Sequence, residues 1–530
     1  MRRFFSRLAR KAQIKRGRTR SVRLQVRGLE ERCCPSGGTV QWADPIPFTN
    51  SASEPYRVLA QPSGKIILAG GTSSGNTPCL ALVQLNGSGG LDVGFGSGGT
   101  VSTSKSGAPT VLFAAALYPT GTSGDLKILV AGPGASSAFA LARYNANGSL
   151  DTSFGKGGVV DTSFTQGTGA CARVGAGARD GVVLVPNGTA LPKIVMAGSD
   201  ANNAGIELAR YNPDGSLDTS FGSKGTAYVP INGGISLGAL ARDSVTGDLL
   251  VAGQNGDLVA FQPNGTLDTL FGTGGMANTG ADQSNAPPTN TLQMALAVYP
   301  ATDANGNAGK ILIGGRGSGI ARYTASGVLD TSWGGTGTVP TSAQGLAVQA
   351  DDKIVAASGL QWTVTRLNTD GSLDSTFGTG GVASAGLQWE LPFNYDVTIL
   401  PNGDIVEIGT APQPVRSTIY GSCFGAALFL PSEPEIGSFM ASQFAAGAPV
   451  ALTASNITDG NPNSTISQVT FYYYDSSGNK ITVGTVTAPD GSGNWTLSAS
   501  LPPGNYTLYA QATDSYGVLG DPLAYSLTVQ

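Results

Sequence analysis

Between residues 37 and 431 the chain repeats one order of apolar runs and polar breaks seven times. Each unit holds four short apolar runs. The first is of Gly-Gly-Thr-Val type, as at Gly38-Thr39-Val40, Gly99-Thr100-Val101 and Gly381-Val382-Ala383. The second leads into a turn, as from Val111 to Pro119 and from Leu346 to Ala350. The third is Lys-Ile-Leu-Val-Ala-Gly or a variant, at Lys65–Gly70, Lys127–Gly132, Lys193–Gly198, Asp248–Gly253, Lys310–Gly315, Lys353–Ser358 and Asp404–Gly409. The fourth is of Leu-Ala-Arg-Tyr-Asn type, from Leu82–Asn86 in the first unit to Ala426–Leu430 in the last. Short apolar runs between turn signals predict strands. The third run is apolar at consecutive positions, which predicts a strand covered on both faces. Asn147-Gly148, Asp214-Gly215, Asn264-Gly265 and Asp370-Gly371 predict hairpin turns.

Four antiparallel strands with both faces covered describe one blade of a β-propeller, so seven units predict seven blades. An open stack of β-units is the competing architecture. If the physical sheet is framed differently from the written unit, residues 38–42 pair with the C-terminal strands and lock the ring. Pro431, Glu433, Pro434 and Glu435 mark a linker over 432–436. Over 437–530 separate runs such as Val469–Tyr473, Trp495–Leu497 and Tyr525–Val529 predict a small β-sandwich. The expected fold class is all-β: a seven-bladed β-propeller over 37–431, then a small β-sandwich.

The clearest repeated mark is Leu-Asp-x-x-Phe/Trp-Gly, present six times from Leu91-Asp92 to Leu373-Asp374. In Asn147-Gly148-Ser149-Leu150-Asp151-Thr152-Ser153-Phe154-Gly155, Asn147-Gly148 supplies the turn and Leu150 returns to the core. Asp151 is placed to accept hydrogen bonds from the next backbone amides, a cap worth about 1 kcal/mol. Phe154 can pack between neighbouring blades, and Gly155 permits a positive φ. Calcium binding by Asn212, Asp214 and Asp218 is the functional alternative, but Asn147 and Ser326 stand where Asp214 does. An ion pair of Arg143, Arg210, Arg322 and Arg366 with the following Asp is another. Gln84 and Ala260 take the Arg position while Asp92 and Asp268 remain, which favours capping over pairing.

These motifs, N-x-x-G-S-L-D-T-S-F-G and K-I-L-V-A-G, resemble the delta-60 repeat family. The resemblance implies a propeller of repeats of about 55 residues and brings no established activity. Gly493-Asn494-Trp495-Thr496-Leu497, Pro503-Gly504-Asn505-Tyr506-Thr507 and Ala512-Thr513-Asp514 resemble bacterial immunoglobulin-like domains of cell-surface proteins. That resemblance implies a spacer or adhesion module.

Composition narrows the chemistry. The chain has no histidine, which removes Ser-His-Asp and Cys-His catalysis and His-ligated zinc. Any metal site would use oxygen ligands, which favours calcium. Cys33, Cys34, Cys79, Cys171 and Cys423 lack C-x-x-C spacing, and the last three read as buried fillers. Residues 1–36 hold 12 of the 31 Lys+Arg and 2 of the 35 Asp+Glu, leaving 19 against 33, a net −14, for the rest. An acidic body argues against a nucleic-acid partner. The basic leader lacks the apolar run of an ordinary secretory signal. Leu24–Arg32 with Pro35-Ser36 resembles the Arg-rich leader ending in L-E-x-L-E-D/E-R…P of many exported bacterial surface proteins, with Val26-Arg27 where the first Leu-Glu would stand. A nucleic-acid arm and a solvated tail are the other readings of this segment. No apolar stretch is long enough for a membrane-spanning helix.

The expected function is that of a non-catalytic, monomeric extracellular or cell-surface scaffold, its propeller binding an unknown protein or glycan. No catalytic, cofactor or metal residues are assigned. A carbohydrate-active propeller enzyme is the alternative. Function is sought where the repeat fails: at Glu207, Glu390 and Arg416, in the aromatic insert Gln388–Tyr395, and in the polar insert Asp282–Asn290.

Overall fold

The computed structural model describes residues 40–530 apart from short segments, the longest being 163–180, 279–293, 386–393 and 413–421. The leader and the insert 282–290 lie outside the described residues, as do 388–393, Arg416, Cys33, Cys34 and Cys171. The described chain is all-β and forms a β-propeller followed by two further sheets.

Seven four-stranded antiparallel sheets span Val40 to Phe429. The first is built in chain order from Glu54–Ala60, Ile66–Ser74, Thr77–Leu85 and Thr100–Thr103. The next five follow the same rule, starting at Ala114, Val182, Leu237, Met294 and Gly345. The seventh takes three strands from the C-terminal part (Asn394–Ile399, Ile405–Pro412, Ser422–Phe429) and its outer strand, Val40–Ile46, from the start of the described chain. Val40 stands opposite Phe429 and Ile46 opposite Phe424. The first strand of each sheet touches the first strands of both neighbours, and that of the seventh touches that of the first. The ring is therefore closed, and the open stack is excluded.

The sheet is framed one strand later than the sequence unit. Each Gly-Gly-Thr-Val strand pairs with the Arg-Tyr strand that precedes it, as Thr100–Thr103 does with Thr77–Leu85. The physical reason is the Leu-Asp-x-x-Phe-Gly segment, which reverses the chain between those two strands. The first such strand, Val40–Ile46, pairs with Ser422–Phe429 and completes the last sheet.

Side-chain alternation explains the unbroken apolar runs. In Lys127–Pro133, Ile128 and Val130 pack into the core shared with the first sheet, and Leu129 and Ala131 into the core shared with the third. All four are fully buried. A β-strand presents successive side chains to opposite faces, so a sheet held between two others must be apolar on both.

The closing seam differs from the rest. Val58, Ile66 and Leu68 of the first sheet meet Val406, Ile408 and Phe424 of the seventh. Arg57 pairs with Asp396 across this seam at 3.1 Å, and Asp396 also accepts the Val58 amide at 2.9 Å.

After the propeller, Glu435–Gln443, Val450–Thr458 and Trp495–Ala499 form a three-stranded sheet. A four-stranded sheet follows the order Lys480–Val486, Ile466–Tyr474, Gly504–Asp514, Leu523–Val529. Phe439, Leu452 and Trp495 of one sheet share a core with Val469, Phe471 and Leu508 of the other. Among the described residues no helix is long and apolar enough to cross a membrane.

Candidate functional site

The repeated charged residues gather at the seams between sheets. At the seam of the second and third sheets, Asp151 Oδ2 receives Lys127 Nζ at 2.8 Å and Arg143 Nε at 2.6 Å. Its Oδ1 receives the Ser153 amide at 3.2 Å and the Ser153 hydroxyl at 2.6 Å. The Arg143 guanidinium lies 4.4 Å over the Phe154 ring and donates from Nη1 to the Pro213 carbonyl of the third sheet at 2.6 Å. The Gly155 amide donates to the Asp214 carbonyl at 2.7 Å. Phe154 is fully buried against the turn at Gly215.

The same set recurs as Lys193, Arg210, Asp218 and Phe221, as Lys310, Arg322, Asp330 and Trp333, and as Lys353, Arg366, Asp374 and Phe377. The capping role expected for the Asp is present in one carboxylate oxygen. The preference for capping over pairing is corrected, because the other oxygen takes the guanidinium wherever Arg occurs. The copies lacking Arg supply the reason: Asp92 and Asp268 are only part-buried, whereas Asp151, Asp218, Asp330 and Asp374 are buried. The position tolerates loss of Arg because the Asp there keeps more contact with water. Burial alone would push the Asp330 carboxyl up, but hydrogen bonds from Ser332 and Lys310 and the Arg322 charge outweigh it and hold it at about 2.

Gly215 has φ +88, and a Cβ there would lie 3.0 Å from Phe154 Cε2 and 3.0 Å from the Gly155 nitrogen. Gly148 stands in the same relation to Phe95, Gly265 to Phe221, Gly327 to Phe271 and Gly371 to Trp333. The turn glycine is thus needed both for its backbone angle and for the ring above it. Gly215→Ala is expected to cost roughly 2–4 kcal/mol, from the left-handed conformation and the overpacked ring. Urea unfolding checks it; a cost below about 0.5 kcal/mol, the range of neutral surface changes, contradicts the packing.

Asn212, Asp214 and Asp218 do not converge on a cation. Asn212 Nδ2 donates to Ser216 Oγ at 3.0 Å, Asp214 Oδ1 accepts the Ser216 amide at 2.9 Å, and Asp218 is held by Lys193 and Arg210. Among the described residues no three His, Cys, Asp or Glu side chains form a metal-binding group.

Glu207 is buried in Gly205–Tyr211 of the third sheet, opposite Gly198 and Tyr228. Glu390 and Arg416 lie outside the described residues. Two buried acids escaped the sequence reading. Glu407 occupies an apolar position of the third run in the seventh sheet, and complete burial pushes its carboxyl well above the usual range. Asp404 stands where five other units have Lys; burial, with the Asp514 charge, raises it to about 6 against the Asn402 hydrogen bond. Cys79 and Cys423 are buried, and burial pushes the Cys423 thiol up to about 12, so it is inert at neutral pH.

Asp404 yields a pH signature. Its folded form resists ionisation, so the protein loses stability as pH rises from about 4 through 6. Asp404→Asn is expected to match the parent at pH 3.5 and to exceed it by about 2–3 kcal/mol at pH 7. Denaturant unfolding at both values checks this; an equal difference at the two pH values contradicts it.

Residues 61–95, 125–154, 193–221, 309–332 and 349–377 match the family described as "Domain of unknown function (DUF5122) beta-propeller". Each match runs from the start of the second strand of a sheet, or the turn before it, to the Leu-Asp-x-x-Phe/Trp-Gly segment, so the matched stretches cover the seam-forming half of the sheet. No curated protein matches the chain.

Proposed function

We propose that this protein is a non-catalytic, exported surface protein whose propeller is a binding platform for a protein or glycan. The observation that carries this reading is the use of the repeated polar residues: in the four motifs that have both Lys and Arg, these, the Asp and the following Ser or Thr are engaged within the seams. Recognition then falls to the segments that vary between units, including 282–290 and 388–395, each joining the outer strand of one sheet to the inner strand of the next. Such connections on a rigid scaffold are the usual carriers of binding. The delta-60 resemblance agrees with a platform, the leader resemblance with export, and the immunoglobulin-like resemblance of 437–530 with a spacer or adhesion role.

The test is a glycan, cell-wall and surface-protein binding screen on the full chain, with hydrolysis followed in the same wells. The reading expects saturable binding without turnover, weakened when Trp389 or the 282–290 insert is replaced. Turnover of a polysaccharide, with its loss on replacing Glu390, would reverse it in favour of an enzyme.

A further inference from the structure

The turn between the first two strands of the fifth sheet is longer than its counterparts. It runs from Pro300 to Lys310 and carries Asp303-Ala304-Asn305-Gly306-Asn307, whereas the sixth sheet makes the same turn in Gln349–Lys353. Asp303 Oδ1 accepts the amides of Asn305 at 2.7 Å and Asn307 at 3.1 Å, which curls the loop around the carboxylate. The side-chain amides of Asn305 and Asn307 reach across the seam to Asp352 Oδ2 of the sixth sheet at 2.9 and 3.0 Å. Asp303 and Asp352 thus hold the same two asparagines, one through their backbone amides and the other through their side-chain amides.

Three further features single out this cluster. Asp303 Oδ2 is buried and meets no donor. Asp352 is only 4% exposed and sits at φ +64, where the equivalent turns use Gly64 and Gly403. Aspartate tolerates the left-handed region better than most residues, and here it also brings a carboxylate to the turn. Tyr299 is fully buried, and its hydroxyl meets no acceptor, although the Arg322 guanidinium lies beside it. Its counterpart Tyr118 donates at 2.8 Å to the carbonyl of Pro192, the residue before Lys193 in the next sheet. The residue in the corresponding position of the sixth sheet is Asp352, just before Lys353, and both Asp303 and Asp352 act electrostatically on the Tyr299 hydroxyl.

We propose that Asp303, Asn305, Asn307 and Asp352 bind a divalent cation of the calcium class, which staples the fifth sheet to the sixth. Two adjacent carboxylates need a proton or a cation between them. Side chains at alternate positions 303, 305 and 307 have the 1, 3, 5 spacing of calcium loops, and calcium takes six to eight oxygens including carbonyls and water. A half-turn of each Asn side-chain amide exchanges its nitrogen for its oxygen with little movement, converting donors to Asp352 into ligands. The cation would balance both carboxylates, and its surroundings leave the Tyr299 hydroxyl facing a ligated carboxylate or water.

The full chain is stripped with chelator and titrated with calcium, following binding heat and the thermal midpoint. A saturable heat and a rise of about 2–4 °C are expected. Asp303→Asn abolishes both. Asp352→Gly, which restores the residue of the first and seventh sheets, raises the midpoint in chelator and abolishes the calcium response. That opposite pair of effects does not arise from a damaged fold. Absence of calcium heat, or a response that survives in both variants, overturns the proposal. So does a calcium-insensitive parent that loses stability as pH rises while Asp352→Gly does not, since a shared proton would then fill the site.

Discussion

Asp151→Ala is expected to lower the unfolding free energy by about 3–5 kcal/mol, the cost of breaking one side of a buried ion pair. Asp151 and Arg143 are each 5% exposed, and Arg143 has no second carboxylate among its described partners. Removing Asp151 leaves the guanidinium buried with the Pro213 carbonyl and two aromatic rings as company. It also releases the Ser153 amide. Asp268→Ala is the internal control. Ala260 and Asp248 stand where Arg and Lys would, and Asp268 only caps the Leu270 amide at 3.2 Å. Its loss should cost about 1 kcal/mol. Denaturant unfolding of the two variants decides the matter. Equal costs would mean that the aspartate acts only as a cap at every seam.

Phe154→Ala is expected to cost about 3–5 kcal/mol as well, by a different route. The ring is fully buried among the side chains that join the second and third sheets, beneath the Arg143 guanidinium and against Gly215. Truncation leaves a cavity between two rigid sheets, where relaxation is limited. Phe154→Leu should recover much of the volume and lose the cation–π contact, for a cost between those of the parent and Phe154→Ala. A Phe154→Ala cost under about 1 kcal/mol, measured by urea unfolding, would place the ring outside the load of the seam.

The strands and their count were legible because each sheet repeats the same apolar alternation, and a two-faced sheet has few ways to satisfy it. The closing strand was legible only as an option. Gly38-Thr39-Val40 looks like every other opening strand, and nothing local says that its partner lies almost four hundred residues later. The Asp–Arg pairs were misread for a related reason. Comparing copies at one position revealed that Arg is dispensable, but burial of the Asp covaries with Arg, and burial is a property of the folded seam. The carboxylate pair at Asp303 and Asp352 was hidden because its halves are 49 positions apart, in turns of different sheets. The signal was present at one end: Asp352 occupies a turn position where Gly64 and Gly403 stand in other units.

The central claim is that the repeated motif of one sheet locks onto the turn of the next, and a double-mutant cycle between Phe154 and Gly215 tests it most directly. Each single change, Phe154→Ala and Gly215→Ala, removes or obstructs the same contact across the seam. The cavity left by the ring accepts the new methyl group, so the double variant should be more stable than the sum of the single costs by about 1 kcal/mol or more in urea unfolding. Additive costs, within about 0.5 kcal/mol, would show that ring and turn do not meet, and the account of the seam would be wrong.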